Sequence, residues 1–519
     1  MKPTDLENFV AANSHKILAI IIILFGVVQL ILFSFHSLPL CRSETDGIDY
    51  MSRATGHYLQ LSSFHGPGFS LAIRFIHALG FDLFAAAKVV SILSGGLFLL
   101  STWMILSSFL IPLEVAVALA LVALNPAILI SSNAIMSDMM AASLLLFLTA
   151  ALLVPEDPGR IRFCLCGIIG GLCYITRVAY APLIMLIPFM ALANLSKRKA
   201  MESTTRISVF SLGFLLPASP WFAFLYQAKG SPFWNENYLN IAFKMYRQEE
   251  SWNYFPSFDR FTGLLDVFLS NPTLFITSYL QTLKELPWEL LELFPKAGYL
   301  AAFGILLWFA DIDRKKLIFT VLLGLYGTIV SLVWIEDRFL LIFTPLVAGT
   351  IAIAVFSVPV GIKSSNLPGP LAGILEKLPL RASAAVIVLI IACVVGIDRT
   401  RAHYADQPVE YKKVADWFHS SGIARKSATL MTAKPHIPYF CGMKFLDYND
   451  FDIQNADIED LPKIIQDSKA DFFVYDERYA SVEYPKLNTL LETNPFPELL
   501  LKVYEVGHPK RVIVYRCVN

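Results

Sequence analysis

The sequence predicts an α-helical polytopic membrane protein, with about 11 transmembrane helices, that ends in a small soluble α/β domain. Of its 519 residues, 55% are hydrophobic and only 16% are charged, whereas soluble domains carry about 25% charged residues. The charges are also unevenly distributed: about 28% of residues 398–519 are charged, against about 13% of residues 1–397. We therefore expect a transmembrane domain over 1–397 and a soluble domain over 398–519. This composition excludes a disordered chain, a coiled coil and an ordinary soluble enzyme.

The net charge is zero, with 42 basic and 42 acidic residues. A nucleic-acid-binding protein shows a basic excess, so we expect no nucleic-acid partner. Membrane lipids are the expected surroundings of the first 397 residues.

Eleven apolar runs, most of them long enough to cross about 30 Å of hydrocarbon, are the predicted spans. The fifth and sixth are short and could form one kinked hairpin. The stretch 66–80 is apolar but short and contains Arg74 and His77, so we expect it to be interfacial or re-entrant. The predicted spans lie near 17–35, 84–107, 112–131, 136–154, 162–176, 180–195, 207–228, 288–310, 316–334, 339–360 and 381–397.

The distribution of basic residues predicts the orientation of the chain. With the N-terminus in the cytoplasm, the short inner loops contain most of the lysine and arginine near the spans. The extended loops 36–83 and 229–287 and the whole C-terminal domain then lie outside. The first span follows a polar N-terminus without a small-residue cleavage site, which favours a signal anchor.

Acidic residues stand at the predicted outer ends of spans, where ionisable groups are costly and often functional. Asp46 follows the first span, and Asp49 would share its face if a helix starts there. Asp138 opens the fourth span. Two carboxylates on one side of the membrane suit acid–base chemistry. The alternative is that Asp46 caps a helix, and that Asp138 or Ser137 caps the fourth span.

A turn and several basic residues complete the candidate site. His65 precedes Gly66-Pro67-Gly68, which predicts either a turn that starts a re-entrant helix or a turn that places His65 beside a pocket. Arg177 and Arg338 lie at outer span ends, and guanidinium groups bind phosphate well. The alternatives are contacts with lipid head groups and, for Arg338, pairing with Asp337. Lys244, in an aromatic-rich segment, could join an anion site or contact lipid phosphates.

The C-terminal domain alternates helix-like and strand-like segments, which predicts a small α/β fold without a catalytic constellation. Ala428–Thr432 is an apolar segment, and we predict a buried strand at Ala470–Tyr475 and a hairpin of Leu499–Val506 with Arg511–Arg516. A disulfide between Cys441 and Cys517 is permitted outside the cell, but a domain of this size does not require it.

The order of these features resembles the GT-C glycosyltransferases, especially prokaryotic relatives of the protein O-mannosyltransferases (glycosyltransferase family 39) and the lipid A aminoarabinose transferases. Each motif is short, and their order and spacing over nearly the whole chain give the resemblance its specificity. The motifs are Asp46-Gly-Ile-Asp49-Tyr50, His65-Gly-Pro-Gly-Phe69, Asn133–Asp138, Gly171–Arg177, Pro220-Trp221, Asp337-Arg338-Phe339 and, in the C-terminal domain, Trp417, Lys434-Pro435 and Asp476–Tyr479.

The resemblance implies an enzyme of a prokaryotic inner or plasma membrane. It would move a sugar from a polyprenyl-phosphate donor to a hydroxyl of a protein, lipid or glycan, with inversion, on the outer face. Asp46 then corresponds to the general base and Asp138 to a second acidic position that orients the acceptor or a metal. The residues assigned to substrate binding are Asp49, Tyr50, His65, Arg177, Lys244 and Arg338.

One position departs from the family pattern. Gly47 stands where the family often has glutamate, so Asp49 covers that role, the acceptor differs, or the register shifts. Some relatives bind a divalent metal and others do not, so the sequence assigns no cofactor and leaves a divalent metal open.

Two rival classes fit the hydropathy. A multi-pass transporter or flippase also has buried carboxylates, but it usually shows inverted repeats, and none is seen here. The second rival is an envelope-polymer assembly protein without transferase activity. If the chain were of this class, the clustering of acids and arginines at the outer surface would be a coincidence.

Overall fold

The structure is a computed structural model that describes residues 9–35, 46–56, 65–194, 200–246, 261–357, 380–405, 407–423, 427–451, 453 and 456–518. The chain divides into two compact units. The helical unit comprises 1–36, 53–237 and 271–404, and the sheet unit comprises 37–52, 238–270 and 405–519. Parts of both predicted outer loops, and the connector before residue 380, lie outside the described residues.

Seventeen α-helices lie between residues 14 and 405 of the described ranges. Four helical segments there are long and apolar enough to cross a membrane, and five further apolar helices are shorter, so the count of eleven spans stays a prediction. The helices are α1 (Ser14–Phe35), α2 (Asp46–Ala54), α3 (Gly68–Ala78), α4 (Leu83–Leu106), α5 (Pro112–Leu124), α6 (Pro126–Ser131), α7 (Ser137–Leu153), α8 (Arg160–Thr176), α9 (Ala181–Asn194), α10 (Ala200–Lys229), α11 (Tyr238–Tyr246), α12 (Leu264–Ser270), α13 (Pro272–Glu292), α14 (Gly298–Ala310), α15 (Arg314–Val330), α16 (Thr344–Ser357) and α17 (Leu380–Ala405).

Two predicted spans are interrupted, and the interruptions meet. The run 112–131 breaks between α5 and α6 at Asn125, whose side-chain oxygen accepts from the backbone N–H of Ala127 at 2.9 Å. The run 288–310 breaks between α13 and α14, and the side-chain nitrogen of Asn125 donates to the carbonyl of Leu293 there at 2.6 Å. Backbone polar groups need partners in an apolar interior, and one asparagine serves both breaks. Hydropathy averaged over a whole span cannot reveal this, because both stretches are apolar on average although the second contains Glu289, Glu292 and Lys296.

The sheet unit contains a five-stranded sheet in the order β2-β1-β3-β5-β4. Strands β1, β2 and β3 are parallel, and β5 runs antiparallel to β3 and β4. The predicted hairpin is present as β4 and β5, whereas β2 is a strand that the sequence did not predict. The elements are α18 (Val409–Ser420), β1 (Thr429–Thr432), α19 (His436–Cys441), β2 (Lys444–Asp447), α20 (Leu461–Ser468), β3 (Phe472–Asp476), α21 (Ala480–Glu483), α22 (Thr489–Glu492), β4 (Leu500–Val506) and β5 (Val512–Cys517).

Both faces of this sheet are covered. Along β3, Phe472 and Val474 pack in one hydrophobic cluster, while Phe473 and Tyr475 pack in another. Successive strand residues point to opposite faces, so β3 is a central strand buried on both sides. Cys441 and Cys517 are buried free thiols, so no disulfide joins them.

Asp476, at the end of β3, is a fully buried carboxylate. Its Oδ1 accepts from the Tyr411 hydroxyl at 2.9 Å and from the backbone N–H of Tyr479 at 2.7 Å. Burial raises the pKa of Asp476 to about 6, against the lowering effect of hydrogen bonds from the Tyr411 hydroxyl and from the backbone of Ala480 and Arg478. The folded state therefore holds a proton that the unfolded chain has already released between about pH 4 and pH 6.

The sheet unit should consequently lose stability as pH rises from about 4 to 6 and change little above that from this group. We expect Asp476→Asn to shrink the difference in melting temperature between pH 4.5 and pH 7.5, measured by thermal unfolding of the full chain. Asp467→Asn, at an exposed position of α20, is the matched control and should leave that difference unchanged. An equal pH dependence in the parent and in Asp476→Asn would contradict the assignment.

Candidate active site

Asp138 lies in the first turn of α7 and forms an ion pair with the guanidinium of Arg177. The carboxylate side chain is only 4% exposed. The residue that flanks the helix is Met136, and no side chain caps it. The alternative role for Asp138 or Ser137, as a helix cap, is therefore wrong. Asp138 is a buried carboxylate that forms an ion pair with Arg177.

Arg177 stands between α8 and the 3₁₀ turn Val178–Tyr180, in an extended backbone conformation with φ −151° and ψ 105°. This break in helical geometry turns the side chain towards the start of α7. Its guanidinium carbon also lies 4.9 Å from the centre of the Phe339 ring, a cation–π distance. The arginine is therefore fixed both by a carboxylate and by an aromatic ring.

Arg338 occupies the same neighbourhood. Its guanidinium carbon lies 4.8 Å from the Phe339 ring centre, and its Nε forms an ion pair with Glu336 at 2.6 Å. Glu336 also accepts a hydrogen bond from the indole N–H of Trp334 at 2.7 Å. Two guanidinium groups thus lie within 5 Å of one ring centre, each paired with a carboxylate. We call Asp138, Arg177, Glu336, Arg338 and Phe339 the arginine cluster.

The turn at His65 packs directly against the end of α8. A Cβ on Gly66 would clash with the carbonyl oxygen of Ile175, and one on Gly68 would clash with Thr176. Arg53 donates from Nη1 to the carbonyl of His65 at 3.2 Å. The predicted turn leading into a short helix is confirmed, and it brings the backbone of His65 beside the residues that precede Arg177.

Gly66→Ala is expected to destabilise the helical unit by about 1–3 kcal/mol or more and to displace the end of α8, because the methyl group meets backbone. Gly96→Ala in α4 is the matched control, since a Cβ there meets nothing within 4 Å. Thermal unfolding of both purified variants measures the difference. Equal melting temperatures of Gly66→Ala and Gly96→Ala would show that the turn does not pack tightly against α8.

The remaining predicted site residues belong to the sheet unit. Asp46 is the first residue of α2, and Asp49 lies one turn later; both are half-buried. Tyr50 is buried, and Lys244 lies half-buried in the last turn of α11. The structure therefore brings Asp138, Arg177, Arg338 and the His65 turn together within one unit, and places Asp46, Asp49, Tyr50 and Lys244 in the other.

The sequence did not single out Glu336 as a partner of Arg338, nor Phe339 as the ring shared by both arginines. Both residues lie in or beside the motif Asp337-Arg338-Phe339, but a pairing between side chains two residues apart leaves no mark on the composition of the sequence. Within the described ranges, no three histidine, cysteine, aspartate or glutamate side chains converge to hold a metal.

Comparison with known proteins rests on structure, because no family model and no curated protein matches the sequence. The structure resembles ArnT from Cupriavidus metallidurans bound to undecaprenyl phosphate, with a TM-score of 0.57 at 12% identity over 96% of this chain and 97% of that one. It also resembles the oligosaccharyltransferase AglB from Archaeoglobus fulgidus in complex with an inhibitory peptide and a dolichol-phosphate, with a TM-score of 0.54 at 12% identity over 89% of this chain and 70% of that one.

The chain has the GT-C fold. The GT-C likeness includes the C-terminal domain as well as the helices, since the alignment with ArnT leaves out only a few per cent of either chain. The resemblance to GT-C proteins drawn from the sequence motifs is confirmed at the level of fold.

Proposed function

We propose that this protein is a membrane glycosyltransferase that transfers a sugar from a polyprenyl-phosphate donor to a hydroxyl acceptor on the outer face of a prokaryotic inner or plasma membrane. The observation that carries the proposal is the GT-C fold over 96% of the chain, shared with a structure bound to undecaprenyl phosphate. The AglB structure, bound to a dolichol-phosphate, supports the same class of donor.

In the proposed reaction, Asp46 takes the proton of the acceptor hydroxyl as its oxygen attacks the anomeric carbon. The bond from that carbon to the phosphate oxygen breaks, polyprenyl phosphate leaves, and the configuration inverts. Asp138 is a poor candidate for the base, because it is buried and ion-paired with Arg177. The half-buried Asp46, in the first turn of α2, is the better one.

The arginine cluster supports a role in holding the leaving phosphate. A guanidinium has five donors, so Arg177 can bond Asp138 and still present N–H groups to a second anion. Fixed cations stabilise the charge that develops on the phosphate, which then leaves without protonation. Arg338 supplies a second guanidinium group, and Lys244 is the third cation proposed to bind the phosphate. Asp49, Tyr50 and His65 are proposed to contact donor or acceptor.

The test of this function is transfer by the purified full-length protein in liposomes. The donors are sugars linked to undecaprenyl phosphate or dolichyl phosphate, and a cell-envelope extract supplies acceptors. We expect one donor to be consumed with release of its polyprenyl phosphate, and mass spectrometry to find a polyprenyl lipid that co-purifies with the protein. If no donor is consumed and no such lipid co-purifies, the proposal fails.

The proposed orientation has its own test. Ser421→Cys, at an exposed position of the sheet unit, should react with a membrane-impermeant maleimide in intact spheroplasts. Arg314→Cys, at the exposed first residue of α15, should react only after lysis. Both variants carry Cys41→Ser, which removes the cysteine of the predicted outer loop 36–83. The two cysteines of the sheet unit interfere little, because burial raises the pKa of Cys441 and of Cys517 to about 12. The reverse labelling pattern would overturn the orientation.

A further inference from the structure

Lys88 is a buried amine in an apolar helix. It lies in the second turn of α4 and is 1% exposed. Ionisable side chains inside a membrane-spanning segment are costly and usually have a specific task. The proposed reaction assigns no role to Lys88.

The contacts of Lys88 converge on one asparagine. Its Nζ donates to the backbone carbonyl of Asn133 and to the side-chain oxygen of the same residue, the latter at 2.8 Å. The Asn133 side-chain nitrogen in turn donates to the backbone oxygen and to Oε1 of Gln29, at 3.1 Å each. Gln29 is fully buried on α1 and donates to the carbonyl of Leu129 at 3.2 Å. The amide of Asn133 is thus oriented from both sides.

A second pair of contacts joins α4 to the same segment. Ser91, one turn after Lys88, donates to the carbonyl of Ala134 at 2.6 Å. A Cβ on Gly95 would clash with the side chain of Ser132, so the helix approaches the segment closely there. We call residues Ser132–Met136, all of them buried, the 132–136 loop. It joins α6 to α7 and is held by α4 along three successive turns.

This loop leads directly into the arginine cluster. Met136 flanks the start of α7, and its sulfur lies 3.7 Å from Nη1 of Arg338. Asp138 follows two residues later and pairs with Arg177. Because α7 begins where the loop ends, the conformation of the loop sets the position of Asp138 relative to both arginines.

We propose that Lys88 is a positioning residue: its ammonium group, through Asn133, holds the 132–136 loop so that Asp138 and Met136 meet Arg177 and Arg338. The proposal rests on the transferase function for its effect on rate, but its structural part stands apart from it. A charged donor suits the position, because a charge-assisted hydrogen bond is about twice as strong as a neutral one. Removing it leaves two oxygens of Asn133 without that donor in an apolar interior.

The experiment compares Lys88→Met with Lys316→Met. Lys316 is a matched control because it is also buried, bonds both the backbone and the side chain of one residue, Asp311, and lies 5.5 Å from an aromatic ring centre, as Lys88 does. Two quantities are measured on the full-length protein in lipid: hydrogen exchange of peptides covering 132–138, and kcat and KM for transfer from the polyprenyl-phosphate sugar.

We expect Lys88→Met to speed exchange over 132–138 and to lower kcat by about 10²-fold, as a displacement of about 1 Å can do. The donor KM should change little, and Lys316→Met should leave both readouts near parental values. Asn133→Ala should act through the same contact, so the double variant with Lys88→Met should be barely worse than the more severe single variant. The effects of Asn133→Ala and Lys316→Met on the measured rates should instead multiply, because the two sites share no contact.

The proposal fails if exchange over 132–138 is unchanged in Lys88→Met, or if Lys316→Met speeds that exchange as much as Lys88→Met does. It also fails if Lys88→Met raises the donor KM without faster exchange, because Lys88 would then be a direct ligand of the donor. If the parent protein transfers no sugar at all, the proposed function fails on that result. The exchange measurements then decide the role of Lys88 in holding the loop on their own.

Discussion

Asp46→Asn is expected to lower the rate of sugar transfer by a factor of about 10²–10⁴, because an amide of the same shape cannot accept the acceptor proton. Donor binding should remain near the parental level, since the substitution leaves the arginine cluster untouched. The measurement is kcat for transfer from a polyprenyl-phosphate sugar, with binding of undecaprenyl phosphate followed separately.

The matched control is Asp49→Asn, one turn later on α2 and also half-buried. It tests whether Asp49 covers the role that glutamate has in the family at the position of Gly47. A modest loss in kcat would assign Asp49 to acceptor binding. A parental rate for Asp46→Asn would remove Asp46 from the chemistry, and a larger loss for Asp49→Asn would move the base to Asp49.

Three of the site residues that the sequence predicted share one property: each is an ionisable group at the edge of an apolar run. Asp138, Arg177 and Arg338 were found in this way, because burying charge in an apolar environment is costly and leaves a local mark on hydropathy. Their pairing was not predicted. Asp138 and Arg177 lie 39 positions apart, and which of several candidate ions meet depends on how α7 and α8 pack.

The same limit explains the parts of the fold that the sequence missed. Asn125 looks like an ordinary polar residue in an apolar run, and only its bond to Leu293 shows that it closes two helix breaks. Lys88 lies inside a predicted span without marking it, because one lysine scarcely changes the mean hydropathy of a 24-residue helix. Strand β2 has four residues and begins and ends with a charge, so no alternating pattern identifies it. In each case the deciding contact joins distant parts of the sequence.

Arg177→Met should both destabilise the protein and abolish transfer, and the two effects can be separated. Losing the guanidinium leaves the Asp138 carboxylate, 4% exposed, without its ion-pair partner, which should cost about 3 kcal/mol. In the double variant Arg177→Met/Asp138→Asn neither charge of the pair remains, so most of the lost melting temperature should return. Transfer should stay at least about 10²-fold below the parent, because a cation that holds the phosphate is still missing.

Thermal unfolding and kcat, measured on the parent, both single variants and the double variant, test this separation. Arg160→Met is the control for loss of an exposed arginine, since its pair with Glu202 lies at the surface, where ion pairs contribute little. Recovery of transfer together with stability in the double variant would reduce the Asp138–Arg177 pair to a structural contact. Recovery of stability alone would mean that the pair holds Arg177 in place for a second anion, which is the role the proposed reaction requires.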